Sequence, residues 1–167
     1  MKVLVTYLSS SGNTKRVAEA IYNEIEGEKE LREMSEVRSL DGYDLAFVGF
    51  PIVGSGAPSK AKRFLSRTAR GKRTALFVTH GMPADMEKLR PMLEKCRQAA
   101  GGSEVVGMYD CQGKMAGFMT KVLRLYPDRE VRQWVRSGGD RVGVGHPNAW
   151  ELSGASDFAR EVVTRCA

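Results

Sequence analysis

A short run of hydroxyl and amide side chains near the start of the chain has the residue types best suited to chemistry. Its members are Ser9, Ser10, Ser11, Gly12, Asn13 and Thr14. Small hydroxyl groups can donate hydrogen bonds to an anion, and Gly12 lets the backbone approach a ligand closely because it has no Cβ. We interpret the run as a phosphate-binding turn. The alternative is an ordinary loop that caps a helix, since Ser, Asn and Thr are common at caps.

The elements on either side of this run favour the phosphate interpretation. The apolar segment Val3–Leu8 precedes it and predicts a buried strand. After it, apolar residues recur at the spacing of one helical face, namely Val17, Ala18, Ile21 and Ile25. The first turn of this helix begins around Thr14, where backbone N–H groups without helical partners attract an anion. The segment contains neither a Walker loop nor a GxGxxG dinucleotide fingerprint.

As a motif, Ser9–Thr14 resembles the Thr/Ser-x-Thr/Ser-Gly-x-Thr loop with which the flavodoxin family holds the phosphate of FMN. Its position, immediately after the first strand, also resembles that family. The resemblance implies FMN as the cofactor. It also implies that the flavin ring lies beyond the carboxyl ends of the strands, at the switch point between the first and third.

Strands and helices alternate along the chain, which predicts an α/β fold. We expect strands near 3–8, 30–37, 44–50, 74–79 and 105–111, the second at an edge, and helices near 14–25, 59–68, 85–100, 117–125, 129–136 and 153–166. This order suggests a flavodoxin-like doubly wound, five-stranded parallel sheet of order 2-1-3-4-5 with helices on both faces. We expect a single domain over residues 1–167, with a helical insertion at about 115–145.

The loop after the third strand is the second candidate part of the site. It contains Pro51, Ile52, Val53, Gly54, Ser55 and Gly56. The resemblance implies that Val53, Gly54 and Ser55 flank the flavin N5 atom; the alternative is a plain surface turn. Flavodoxins often stack an aromatic ring here, whereas this chain has Ile52 and Val53. We therefore expect looser FMN binding and a less negative reduction potential than in a flavodoxin with two stacking aromatics.

The loop after the fourth strand is the third candidate part, with Thr79, His80, Gly81 and Met82. By the resemblance, its backbone N–H groups contact the pyrimidine edge of the flavin, and Met82 or His80 packs on the ring. The alternative for His80 is a loop histidine hydrogen-bonded by backbone. Asp85 is predicted to cap the next helix.

Two features further along the chain leave their roles open. Cys111 follows the fifth strand, but the Cys-x5-Arg spacing of phosphatases is absent because residue 117 is glycine, so a structural or gating role is favoured over catalysis. In the insertion, an apolar set forms either a lid over the flavin or a satellite core under a long insertion. This set is Met115, Phe118, Met119, Leu123 and Trp134.

Composition limits the remaining possibilities. The chain has 167 residues and three cysteines without metal-ligand spacing, which predicts neither a disulfide framework nor a metal site. No apolar run approaches membrane-spanning length, and no signal-peptide pattern follows Met1, so we expect a cytoplasmic protein. No residue stands out as catalytic.

The net charge of +6 is unusual for a protein that resembles flavodoxins, which are typically acidic. Basic residues concentrate in 60–73 and again in 121–141. Such runs are either solvated helix faces or a positive surface that steers an acidic partner. No nucleic-acid-reading motif accompanies the charge.

The preferred function is electron transfer by bound FMN to or from a redox partner protein with an acidic docking surface. One alternative is an NAD(P)H-dependent FMN oxidoreductase that acts on a small acceptor such as a quinone. A second alternative is a flavin-free interaction domain with the same fold.

Overall fold

A parallel sheet forms the centre of the fold in the computed structural model. The structure describes the backbone of residues 1–115, 117–141 and 143–167, and the side chains of the same residues apart from 117–120 and 140. Within this part of the chain the strands are β1 (Val3–Tyr7), β2 (Lys29–Glu33), β3 (Leu45–Pro51), β4 (Arg73–His80) and β5 (Glu104–Gln112). Their order is β2-β1-β3-β4-β5, and all neighbours pair in parallel. The predicted fold class and strand order are confirmed.

Helices connect the strands and continue to the end of the chain. They are α1 (Asn13–Glu24), α2 (Ser59–Arg67), α3 (Leu89–Ala99), α4 (Gly117–Arg124), α5 (Arg129–Arg136) and α6 (Ala149–Cys166). Short 3-10 turns lie at Met34–Glu36 and Gly139–Arg141. Both α4 and α5 occupy positions where the sequence predicts helices. Their status as an insertion into a smaller domain stays a prediction.

Two apolar layers cover the sheet because successive strand residues point to opposite faces. On one face, Val5 and Phe47 pack with Ile21 of α1 and Ala155 of α6. On the other face, apolar strand residues pack with Leu65 of α2 and Cys96 of α3. The central strands are therefore buried on both sides, which explains why the segments 44–50 and 74–79 read as nearly continuous apolar runs.

Three predicted element boundaries are wrong, and local hydrogen bonds explain each of them. Strand β2 ends at Glu33 rather than at residue 37, because the next three residues form a 3-10 turn in which the Glu33 N–H donates to the Glu36 carboxylate (3.0 Å). Helix α3 begins at Leu89, so Asp85 is not its cap. The residues between them form tight turns, with the Met86 N–H donating to the Pro83 carbonyl (3.2 Å).

Helix α6 begins four residues before its predicted start at Ser153. Its first turn is closed by a reciprocal cap: the Glu151 N–H donates to Asn148 Oδ1 (3.0 Å), and the Asn148 N–H donates to Glu151 Oε2 (2.7 Å). No helix in the described part of the chain combines the length and apolar character needed to cross a membrane.

The register of the sheet brings the carboxyl ends of the strands to one edge. Pro51 lies opposite Thr79, and His80 lies opposite Gln112. The pairing extends into the loops, since the Ile52 N–H donates to the Thr79 carbonyl (2.8 Å) and the Gly113 N–H donates to the His80 carbonyl (2.8 Å). The loops that follow β1, β3, β4 and β5 therefore meet at the same place.

Candidate functional site

A pocket of about 650 Å³ opens at this carboxyl edge. Its lining is mostly apolar and comes from two sources: the loops that follow the strands, and a helical wall formed by the start of α3 with α4 and α5. The lining residues from the loops are Ser10, Ser11, Asn13, Pro51, Ile52, Val53, Gly54, Thr79, His80, Gly81, Met82, Gly113, Lys114 and Met115. Those from the helical wall are Met86, Glu87, Lys88, Met92, Val122, Leu123, Tyr126, Glu130, Val131 and Trp134.

The structure brings most of the predicted site residues together in this one pocket. All three candidate loops contribute, and the predicted residues that line it are Ser10, Ser11, Asn13, Pro51, Ile52, Val53, Gly54, Thr79, His80, Gly81 and Met82. The other predicted residues belong to the same loops but do not line the pocket. These are Ser9, Gly12, Thr14, Ser55 and Gly56.

The turn before α1 has the backbone shape that an anion site needs. Gly12 has a φ of 86°, a left-handed conformation that residues with a Cβ rarely adopt. This conformation lets the Gly12 N–H donate to Ser9 Oγ (3.1 Å) while the Gly12 carbonyl accepts from the Arg16 N–H (3.0 Å). The N–H groups between them, in the first turn of α1, have no partner within the helix. They therefore remain free of the helical hydrogen-bond ladder, at the positive end of the helix dipole.

Thr14 has a structural role that the sequence does not reveal. Its hydroxyl is buried and lies 2.8 Å from the hydroxyl of Thr79, which is also buried. One of the two must donate to the other, so the bond ties the first turn of α1 to the end of β4. Burial increases the contribution of this bond to the stability of the fold, because a polar group left unpaired away from water is costly.

Asn13 connects the same turn to the loop after β5. Its side-chain amide donates to the Lys114 carbonyl (2.7 Å), and the Lys114 N–H donates to the His146 carbonyl (3.1 Å). The Nδ1 atom of His146 in turn lies 2.7 Å from Oε2 of Glu151 in α6. This chain of contacts positions Lys114 on the pocket wall close to the α1 turn.

The loop after β3 is tight and exposed at its tip. The Val53 N–H donates to the Gly56 carbonyl (3.0 Å), which closes a turn around Gly54. Gly54 has a φ of 65°, again a conformation that favours glycine. Val53 is 50% exposed and lines the pocket, so an apolar side chain lies at the pocket mouth.

His80 both lines the pocket and is held by hydrogen bonds. Its ring Nδ1 lies 2.8 Å from the Met82 carbonyl, and its Nε2 lies 3.1 Å from Asp110 Oδ2. The ring is therefore fixed between the loop after β4 and strand β5, and the backbone contact expected of a loop histidine is present.

The helical wall partly matches the predicted apolar lid. Met115, Leu123 and Trp134 line the pocket, whereas the side chains of Phe118 and Met119 lie outside the described part of the structure. The pocket is also lined by Tyr126, Met86 and Met92, which the sequence pattern did not indicate. Tyr126 lies two residues past the end of α4 at Arg124, so helical periodicity alone could not place it on the wall.

An ion-pair cluster joins two parts of the helical wall, the start of α3 and α5. Lys88 Nζ lies 2.8 Å from Asp128 Oδ2 and 2.6 Å from Glu130 Oε2. Asp128 also caps α5, since its other carboxylate oxygen accepts from the Glu130 N–H (2.8 Å). Hydrogen bonding to these carboxylates raises the pKa of Lys88, and the Lys88 ammonium lowers the pKa of Asp128.

Comparison with known proteins decides which family this arrangement belongs to. The family model for the flavodoxin domain matches residues 4–160. The chain belongs to the flavodoxin family. A curated relative, the flavodoxin-like domain-containing protein BilS of Clostridioides difficile (strain CD3), is 32% identical over 177 residues, covering 100% of this chain and 99% of the relative.

Solved flavodoxin structures share the fold. Oxidised flavodoxin 2 from Bacillus cereus matches with a TM-score of 0.58 and 22% identity, covering 99% of both chains. A flavoprotein in complex with FMN from Lactobacillus acidophilus NCFM matches with a TM-score of 0.53 and 22% identity, over 65% of this chain and 92% of that one. Membership of the flavodoxin family supports the predicted cofactor, FMN.

Cys111 lies at the end of β5 beside the pocket but is not one of its lining residues. Its side chain is buried, and burial raises the pKa of its thiol to about 12, with further increases from the Glu151 and Asp110 carboxylates. Burial likewise raises the pKa of Cys96 to about 11. Since the thiolate is the nucleophile, neither cysteine has the environment of a catalytic thiol at neutral pH.

We expect only one of the three thiols to react quickly with Ellman's reagent in the native protein at pH 8. Cys166 is partly exposed near the end of α6, whereas Cys96 and Cys111 are buried and protonated. The absorbance of the released thiol measures the count, and unfolding in guanidinium should expose all three. The variant Cys166→Ser should abolish the fast phase; a fast phase that survives it would contradict the burial of Cys96 or of Cys111.

Proposed function

We propose that this chain holds FMN noncovalently in the pocket and passes electrons to and from a redox partner protein. One observation carries the proposal: a single pocket runs from the Ser9–Thr14 turn before α1 to the loops after β3 and β4. An anion-binding end joined to an apolar cleft matches a ligand with a phosphate at one end and a flat ring at the other. FMN supplies the redox chemistry once it is bound.

The phosphate end would be held by the Ser9–Thr14 turn. Ser10 and Ser11 line the pocket. The first N–H groups of α1 add backbone hydrogen-bond donors for the phosphate. Lys114 lines the same part of the pocket and brings a positive charge. Gly12 supports the close approach, because the turn depends on its left-handed backbone.

The ring end would lie between the loops after β3 and β4. Ile52, Val53 and Met82 supply apolar contacts, while Gly54 keeps the loop after β3 free of a side chain at its turn. His80 is held rigidly by the Met82 carbonyl and Asp110, so it orients the loop after β4 against the cleft. By resemblance to the family, Val53, Gly54 and Ser55 would flank the flavin N5 atom.

The phosphate assignment predicts a contrast between two flavins. We expect Ser10→Ala combined with Ser11→Ala to weaken FMN binding at least about tenfold, because both serines line the pocket and a hydrogen bond to a charged group is worth roughly 1.5–3 kcal/mol. Riboflavin lacks the phosphate, so its affinity should hardly change. Fluorescence titration of each flavin with the protein measures both affinities.

Two controls separate a phosphate role from a structural one. Ser10→Thr with Ser11→Thr keeps both hydroxyls and should retain most of the FMN affinity, and Thr164→Ala, on the exposed end of α6, should change the affinity for neither flavin. Equal losses for FMN and riboflavin in the double variant would mean that the turn only supports the fold.

A basic surface beside the pocket supports an acidic partner. Helix α2 contains no acidic residue, and Lys60, Lys62, Arg63 and Arg67 are all exposed on it. The helix starts at Ser59, shortly after the pocket-lining Gly54, so its basic N-terminal half lies on the pocket side of the sheet. A concentrated positive surface at a pocket mouth attracts anions and orients an acidic protein during encounter.

We expect Lys62→Glu with Arg63→Glu to slow the oxidation of the reduced FMN-loaded protein by ferricyanide at least about threefold at low salt. Added salt should shrink the difference, because it screens exposed charges. Stopped-flow absorbance of the flavin measures the rate.

The matched control, Arg70→Glu with Arg97→Glu, changes the net charge equally at the opposite edge of the sheet and should have a smaller effect on the rate. Equal slowing in both variants would mean that net charge alone matters.

The electron-carrier proposal also predicts how the protein is reduced. We expect FMN absorbance to persist for minutes when NADPH is added alone under anaerobic conditions, and to bleach when a flavodoxin reductase is added. Rapid bleaching by NADPH alone would support the alternative of a stand-alone oxidoreductase. A purified protein that is colourless and takes up no FMN would support the flavin-free interaction domain instead.

A further inference from the structure

We infer that the helical wall of the pocket forms a second ligand site, which binds a flat, uncharged aromatic molecule of the quinone class beside the flavin. The inference rests on the proposed FMN site for the position of the flavin. It assigns a function to the helical segment 117–136, which the phosphate end and the strand loops do not use.

The composition of the helical wall points to a flat aromatic ligand. Tyr126 and Trp134 are aromatic, and Met86 and Met92 line the pocket with them. Aromatic rings prefer stacked or edge-to-face neighbours, and methionine sulfur makes favourable contacts with ring edges. Methionine also adapts its shape easily, which suits a site that accepts related ring systems.

The Trp134 indole is held in place before any ligand arrives. Its ring packs directly on Gly139, where a Cβ atom would lie only 2.2 Å from the indole. Trp134 is otherwise only half-buried, so this side chain is ordered by the backbone beneath it and still faces the pocket. A ring that is already oriented loses little conformational entropy when a ligand stacks on it.

Charge at the helical wall argues against a dinucleotide as its ligand. The charged lining residues on this side are Glu87, Lys88 and Glu130 among the described residues. Lys88 is already paired with Asp128 and Glu130, so it is not available to a pyrophosphate. Two carboxylates and a neutralised lysine repel phosphate groups, which leaves an uncharged apolar molecule as the favoured class.

The pocket, about 650 Å³ in volume, has an internal boundary between its two walls. FMN held by the Ser9–Thr14 turn and the strand loops would use the loop wall. Met115 packs over Gly81, where its methyl carbon lies 2.9 Å from the position of an added Cβ. It therefore stands between the strand loops and the helical wall.

Methionine methyl NMR with menadione as the probe tests the inference on FMN-loaded protein. The chain has eight methionines, of which Met82, Met86, Met92 and Met115 line the pocket. We expect saturable shifts of the Met86, Met92 and Met115 methyl signals. The signals of Met34 and Met108, which do not line the pocket, should stay unchanged. Flavin absorbance in the filtrate shows whether FMN remains bound during the titration.

Two variants assign the binding to the helical wall. Trp134→Ala should weaken menadione binding at least about tenfold, as expected for an aromatic anchor. Tyr126→Ala should weaken it by a smaller factor, and since Tyr126 is 38% exposed this variant tests the site even if the first one disturbs folding. The matched control Trp150→Ala, at a tryptophan that is 86% exposed on α6, should leave the affinity unchanged.

The outcomes separate this inference from the proposed function. If menadione releases FMN, or binds only to FMN-free protein, the pocket holds one ligand and the inference is overturned while the FMN site stands. The same holds if the methyl signals do not move, or if both pocket variants bind menadione as tightly as the unaltered protein. Failure to take up FMN at all would overturn the proposed function, and the second site beside the flavin with it.

Discussion

Parallel pairing of β1, β3 and β4 is the constraint on which the pocket depends. Parallel strands end at the same edge of the sheet, and each needs a crossover helix to return to the other edge. Helix α1 packs on one face and α2 on the other, so the chain leaves β1 and β3 in opposite directions. A cleft therefore opens between these two strands at the carboxyl edge, and the loops that leave them become its walls.

Hydrogen bonds between the loops, more than within them, set the shape of that cleft. The Thr14–Thr79 bond ties α1 to β4, the Ile52 N–H is paired with the Thr79 carbonyl, and Asn13 holds the Lys114 carbonyl. Each bond joins elements that are distant in sequence. The Ser9–Thr14 turn and the apolar cleft are thereby held in one arrangement before a ligand binds, which lowers the entropic cost of binding.

Exposed ion pairs join two parts of the helical wall, the start of α3 and α5. Its ion pairs to Lys88 involve side chains that are about two-fifths exposed or more, and exposed pairs contribute little to stability because water and salt screen them. Among the described side chains of α4 and α5, that of Val135 is buried. Burial of this apolar side chain contributes more to holding the wall in place than the exposed ion pairs do.

The sequence by itself determined the elements and the anion-type turn, because apolar periodicity and the Ser9–Thr14 pattern depend on neighbours along the chain. Helix starts that depend on local competition between turns and caps were less predictable, as the late start of α3 after Asp85 shows. Only the tertiary structure decided that Thr14 bonds Thr79, that Tyr126 and Trp134 face the same pocket as Val53, and that Lys88 pairs with α5. These contacts join residues far apart in sequence, and their geometry follows from the packing of whole elements rather than from any local pattern.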